Sequence, residues 1–377
     1  MTGAKDATPT SEPPSQDTPP LNSQPLILPP HRTGDLRRTM EPLAATAQPL
    51  GPGTLPESPL APATLQRRAA EDREPRQSDD VRQLTHSKAG KPRGMVRGLL
   101  EMTRPSVVAL VFFTGLPALA IDDRVWPAWQ RSVLLLLGIA LIASASSVFN
   151  AYIERDLDRR MDRTRNRPLP TGLVTPGQAL VWGWTLCVGG LALLGWQGGW
   201  PGAVAGAATV AFYVFVYTIW LKPRTPLNIV IGGAAGAAPP LIVDAALHGR
   251  IGIMSFTLFT IVFLWTPPHF WAISLFRKKD YENAGFPMLP ITHGDEATRL
   301  RIVLYALSIV PFAVLPALTR HLSLGYGLFA LAASLWFTWK CVLLLRGRTD
   351  ALARRAFFAS LVFLHVLFTA MTLDLLF

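Results

Sequence analysis

Nine apolar runs, each near bilayer-crossing length, dominate the chain from residue 105 to residue 376. They cover roughly 105–121, 132–150, 178–196, 201–220, 227–246, 253–275, 299–318, 325–345 and 356–376. A helix of about 20 apolar residues spans the hydrocarbon core. Backbone polar groups find no water there, so only helices and closed barrels can cross. A barrel would show alternating segments of about 10 residues, and this pattern is absent. The expectation is an all-α integral membrane bundle of about nine transmembrane helices. The mean hydropathy of +0.28 agrees.

A net charge of +11 invites a nucleic-acid reading. The basic residues lie instead mainly in short loops beside the apolar runs, so no nucleic acid is expected. With the N-terminus cytoplasmic, 15 Lys and Arg fall on the cytoplasmic side and four, Arg124, Arg131, Arg250 and Arg320, fall opposite. That asymmetry predicts N-in, C-out, which an odd number of spans requires. The expected location is a bacterial plasma (inner) membrane, with the charged face cytoplasmic.

Residues 1–95 are rich in Pro, Ser, Thr, Gln and charge and carry no apolar periodicity. They read as a disordered tail preceding one transmembrane domain, 96–377. The tail lacks the apolar stretch of a secretory signal peptide. Asp6, Glu12 and Asp17 also make a mitochondrial transit peptide, and with it a mitochondrial inner membrane, the less favoured reading. Cys187 and Cys341 lie in predicted spans without metal-ligand spacing and read as inert core residues.

The second run ends in NAYIERDLDRRMDRTRNRPLP, Asn150 to Pro170. Asn150, Glu154 and Asp158 are four apart and form one stripe on a helix, with Asp156 and Asp162 off it. A solvated helix end with i,i+4 ion pairs is the bland alternative. Two features oppose it. Asn150 lies at membrane depth, where polar groups are costly and functional. Five arginines follow in a short loop. Mg²⁺ binds through one or two carboxylates plus substrate phosphates, and Arg forks match phosphate oxygens. The chemistry indicated is Mg²⁺–diphosphate binding at the membrane surface.

The pattern NxxxExxxDxxxxRTxxRP, through Arg163, Thr164, Arg167 and Pro168, resembles the first signature of the UbiA superfamily of intramembrane prenyltransferases. That signature commonly reads NDxxDxxxD, where this chain has Ala151 and Glu154. The second signature, often DxxxD, corresponds to Asp280 and Ala284, so one carboxylate is missing. DYxxAGxPMLP, WTPPHFW (Trp265 to Trp271) and YTIWLKPRTPLNIVIGGAAGAAPPL (Tyr217 to Leu241) resemble the haem branch, the protoheme IX farnesyltransferases. The resemblance covers about 100–376.

It implies farnesyl diphosphate as donor, haem B as acceptor, a Mg²⁺ cofactor, and a downstream haem A synthase or oxidase assembly as partner. Asn150, Glu154, Asp158 and Asp280 would organise metal and diphosphate. Arg163, Arg167, Lys222, Arg224 and Lys278 would bind phosphate oxygens, though positive-inside topology alone accounts for most basic residues here. Asn228 is a neighbouring polar candidate. His269, with Trp265, would contact haem; a lone His in an apolar run is otherwise a satisfied core residue. Pro267 and Pro268 are expected to break or kink span six. Gly232 and Gly236 read first as close packing, with room for an isoprenoid as the alternative. Arg104 reads as a membrane anchor. Two other functions stay open: prenylation of an aromatic ring such as a quinone precursor, and a transport path lined by membrane-depth polar residues.

Overall fold

The computed structural model describes residues 94–121 and 129–377. Residues 1–93 of the expected tail and Arg124 lie outside them. All regular structure among the described residues is helical, as a backbone in lipid requires. In chain order the helices are α1 (Met95–Met102), α2 (Pro105–Ala120), α3 (Trp129–Ile153), α4 (Arg155–Asp158) and α5 (Pro176–Ala211). A π-helical segment, Phe212–Leu221, continues α5. Then come α6 (Asn228–Ala237), α7 (Pro239–His248), α8 (Ile253–Phe276), α9 (Lys278–Asn283), α10 (Leu289–Thr292), α11 (Gly294–Leu318), α12 (Leu324–Gly347) and α13 (Asp350–Leu376).

Seven stretches are long and apolar enough to cross a membrane, and α1 with α2, bent by 43°, makes an eighth. One of the seven, Pro176–Leu221, has 46 residues and would run about 69 Å if straight, over twice the hydrocarbon thickness. It does not run straight. Gly199 adopts φ 63° and ψ −169°, a region open essentially to glycine alone. Beyond it the chain folds back: a Cβ placed on Gly206 would meet Leu194 Cδ1 at 2.6 Å, twelve residues earlier. The limbs 176–198 and 200–221 therefore form a hairpin, which brings the crossings to nine.

Small residues let the helices close up. A Cβ on Gly138 would lie 3.2 Å from the Gly190 carbonyl oxygen, so α3 and α5 touch almost backbone to backbone. Thr175 starts α5 with a reciprocal cap, accepting from Gln178 N–H at 3.3 Å while Gln178 Oε1 accepts from Thr175 N–H at 3.0 Å. α3 and α8 are the enclosed helices, 67% buried over their apolar windows, against 22% for the α5 hairpin. Trp184, Trp196 and Leu328 face outward, as lipid-facing side chains do. Cys187 and Cys341 are buried and unbridged, as expected of core residues. The expected break at Pro267 and Pro268 is absent. α8 stays helical through both, packed against α11 and α13.

Candidate active site

Asn150 ends the apolar part of α3 and is fully buried. α3 stops at Ile153, where Glu154 takes φ −90° and ψ 5°, but the hydrogen-bond ladder continues. Glu154 N–H donates to Asn150 O at 2.9 Å and Asp158 N–H donates to Glu154 O at 2.8 Å. The three side chains thus stay on one inward face, and Glu154 and Asp158 are buried as well. Asp156 and Asp162 point outward and pair with Arg159 at 3.7 Å and Arg165 at 3.2 Å.

The inward face is a charged lattice. Asn150 Nδ2 donates to Glu154 Oε2 at 2.9 Å. Lys222 Nζ meets Glu154 Oε1 at 2.5 Å. Arg167 Nη1 donates to both Asp158 oxygens, at 3.1 and 2.9 Å. Thr164 Oγ1 donates to Asp158 O at 2.8 Å and folds the arginine loop back over the carboxylates. Burial, and next Arg104, hold the Arg167 guanidinium below its ordinary value, while Asp158 opposes them.

The π-helical segment aims the opposite wall. Residues nine apart fall on opposite faces of a 3.6-residue helix. The wider π turn brings Tyr213, Tyr217 and Lys222 onto one side. Tyr213 and Tyr217 rings lie 5.2 Å apart, and Lys222 Nζ lies 5.7 Å from the Tyr217 ring. Thr218 Oγ1 reaches 3.3 Å from Asn150 Oδ1, tying this segment to α3.

A small apolar cluster joins the distant motifs. Met161 from the arginine loop, Ile229 from α6, Tyr281 from α9, and Ala284, Phe286 and Met288 from the turn after α9 pack together. Phe286 lies 5.2 Å below Lys222 Nζ, and Arg163 rides over Tyr281 at 5.9 Å. Asp280 sits beside this cluster. Its Oδ2 is buried and accepts no hydrogen bond, with Arg277 Nη1 at 3.7 Å.

Behind the charges lies a cavity of about 220 Å³ lined by Arg104, Tyr213, Tyr217, Ile229, Trp265 and His269, among others. A narrower apolar extension of about 80 Å³ shares Val107, Val111, Tyr213 and Gly236 with it. The glycine pair divides its labour. A Cβ on Gly232 would collide with the Tyr217 ring, whereas one on Gly236 would meet nothing within 4 Å.

The UbiA prenyltransferase family matches residues 111–364. The chain belongs to that family. Among its relatives, the protoheme IX farnesyltransferase of Parvibaculum lavamentivorans is 40% identical over 291 residues, covering 74% of this chain and 89% of the relative. The protoheme IX farnesyltransferase of Symbiobacterium thermophilum is 42% identical over 283 residues, covering 74% and 94%. These relatives place the chain in that branch of the UbiA family. The fold is shared with a digeranylgeranylglyceryl phosphate synthase (TM-score 0.63, 17% identity, 74% of this chain and 98% of that one). It is shared also with a UbiA homologue from Archaeoglobus fulgidus bound to DMAPP and Mg²⁺ (TM-score 0.53, 18% identity, 72% and 98%).

Within this UbiA fold, the two positions where the common signatures lose a carboxylate, Ala151 and Ala284, are both buried in apolar surroundings. Ala284 belongs to the cluster that joins the motif loops, where a carboxylate would be costly. Among the described residues no three His, Cys, Asp or Glu side chains gather closely enough to hold a metal alone. The donors present still suit Mg²⁺. Buried oxygens of Glu154 and Asp158, with Asp280 Oδ2 lacking a hydrogen bond, match a cation that completes its shell with water and phosphate.

Not every residue expected at the site converges. Arg224 donates to Ile219 O and Trp220 O at 3.0 Å each and caps the π-helical segment. Lys278 pairs with Asp295 at 3.0 Å. Asn228 is fully buried, with Nδ2 on Thr225 O at 2.6 Å and Oδ1 without a hydrogen bond. The structure also adds residues that the sequence left bland. Arg104 lines the cavity in a left-handed conformation, φ 52° and ψ 68°. Such strain on a non-glycine residue costs about 1–3 kcal/mol and clusters at functional sites. Its only sequence signal was a cation directly before the Pro105 that starts α2. Tyr213 carried no signal beyond aromaticity, and Tyr217 none beyond its place at the start of the YTIWLKPRTP stretch.

Proposed function

We propose that the protein transfers a farnesyl group from farnesyl diphosphate to a vinyl group of haem B, with addition of water, giving haem O and diphosphate. We further propose that this supplies haem A synthesis for terminal oxidases, and that the charged face is cytoplasmic. The observation that carries the reaction class is that the buried Asn150–Glu154–Asp158 face and its cations meet an apolar cavity through Tyr217, which lines the cavity with its ring 5.7 Å from Lys222 Nζ. One end suits a diphosphate and the other an isoprenoid. The haem acceptor is supported by the protoheme IX farnesyltransferase relatives.

Glu154, Asp158, Asn150 and Asp280 would hold Mg²⁺ together with the diphosphate in this reading. When bound, Mg²⁺ supplies charge neutralisation of the leaving diphosphate. Lys222, Arg167 and Arg163 stabilise the negative charge that grows on the leaving group as the allylic C–O bond breaks. The apolar cavity holds the isoprenoid chain and keeps water from quenching the allylic cation before the acceptor vinyl carbon attacks. Water then captures the cation formed beside the porphyrin and releases a proton, leaving a hydroxyl. Trp265 and His269 line the cavity where a planar acceptor would rest.

The test is diphosphate release by the purified full chain in detergent with Mg²⁺ and farnesyl diphosphate. Release that requires haem B supports the reading. Release that requires a phenolic quinone precursor and ignores haem B replaces it.

A further inference from the structure

His269 finds a partner on the last helix. Its Nδ1 lies 2.7 Å from Ser360 Oγ, and the same hydroxyl lies 2.6 Å from Phe357 O. Two oxygens that close need a proton between them, and a serine hydroxyl has only one to give. That proton goes to Phe357 O. The Ser360 oxygen is left as an acceptor, so the hydrogen of the His269 contact sits on Nδ1, and Nε2 carries the lone pair.

The ring is fixed from several sides. Trp265 stacks on it with centroids 4.4 Å apart, Phe357 packs at 4.7 Å, and Trp265 Nε1 donates to Ser360 O at 2.8 Å. A satisfied core histidine would spend both nitrogens. Here Nε2 has no hydrogen-bond partner among the described residues, and His269 lines the cavity.

We propose that Ser360 is a positioning residue that holds His269 in the Nδ1–H tautomer, so that Nε2 ligates the iron of a metalloporphyrin acceptor in the cavity. This rests on the haem reading above. A neutral imidazole whose other N–H is hydrogen-bonded is the form that ligates iron, and the bond raises the basicity of the ligating nitrogen. Ligation is a reversible Lewis-base contact; no electron or atom is transferred. It fixes the porphyrin through its centre and leaves its vinyl edge for the farnesyl cation.

The test titrates haem B into the detergent-solubilised full chain as wild type, His269→Ala, Ser360→Ala and Ser360→Thr. Absorption reads binding, and resonance Raman reads the iron–histidine band of the ferrous complex. The wild type is expected to show that band and His269→Ala to lose it. Ser360→Ala should bind haem B about 10-fold more weakly, the low end for loss of a ligand's hydrogen-bond partner. It should also shift the band, with the KM for farnesyl diphosphate unchanged. Ser360→Thr, which keeps the hydroxyl, should restore both. If the band survives His269→Ala, or is unshifted in Ser360→Ala, the ligation proposal is overturned while the haem reading stands. If the wild type neither binds nor farnesylates haem B, both fall.

Discussion

Lys222 Nζ lies 2.5 Å from Glu154 Oε1, so a cation suited to the leaving diphosphate is held by a carboxylate suited to its metal. Glu154 is buried and Lys222 half-buried, and a buried carboxylate stripped of its cation is costly, so Lys222 keeps Glu154 in place. Magnesium diphosphate would replace both contacts at once, bringing a cation to Glu154 and an anion to Lys222. Lys222→Met should therefore lower kcat roughly 100-fold, the scale for losing one transition-state charge contact. It should also lower the Mg²⁺ concentration for half-maximal activity, because Glu154 is freed. Steady-state kinetics across a metal titration checks both; an unchanged metal requirement would show that Lys222 and the metal do not share Glu154.

Asp158 and Arg167 form the second pair, and here structure and chemistry can be separated. Asp158→Ala should abolish product formation while the chain still inserts into the membrane. It should also cost about 2–3 kcal/mol of stability by stripping Arg167 of its charged hydrogen bonds. Adding Arg167→Leu should recover most of that stability and none of the activity. Unfolding in detergent alongside turnover reads the two columns of the cycle.

Gly232 and Gly236 should respond oppositely to added bulk. Gly232→Ala drives a methyl into the Tyr217 ring and should destabilise by about 1–3 kcal/mol. Gly236→Leu has room, so stability should hold while the side chain fills the cavity. Its KM should rise for farnesyl diphosphate and rise less for geranyl diphosphate. Equal KM changes for both donors would mean the isoprenoid lies elsewhere.

Arg104 holds a left-handed backbone that glycine would take without strain. Arg104→Gly should leave thermal stability equal or higher and raise the KM for the prenyl diphosphate about 10-fold. A loss of stability with unchanged KM would return Arg104 to the anchor role its sequence position suggests.

The bundle was legible because lipid dictates helices and fixes their length, so apolar runs alone located nine crossings. The stripe Asn150–Glu154–Asp158 was legible because spacing by four survives even where the helix is interrupted at Glu154. The register of Phe212–Leu221 was not, because FYVFVYTIWL reads equally well as an α-helix, and only the π turn brings Tyr213 to the side of Lys222. For Pro267 and Pro268, helix propensity favours a break that does not occur: α8 continues through both while packed on its neighbours. Ser360 could not be found from sequence at all, since it lies 91 residues from His269 and is one serine among many. Likewise Lys278 and Arg224 looked equal to Lys222 as loop cations, yet their hydrogen bonds lead to Asp295 and to helix carbonyls.

The central claim is that this chain farnesylates haem B. Mass spectrometry of haems extracted from membranes of a host lacking such an enzyme, with and without the protein, tests it most directly. The expected product is a new haem heavier than haem B by one farnesyl group and one hydroxyl group, absent when Asp158→Ala replaces the wild type. Unchanged haem beside a new prenylated quinone precursor would contradict it.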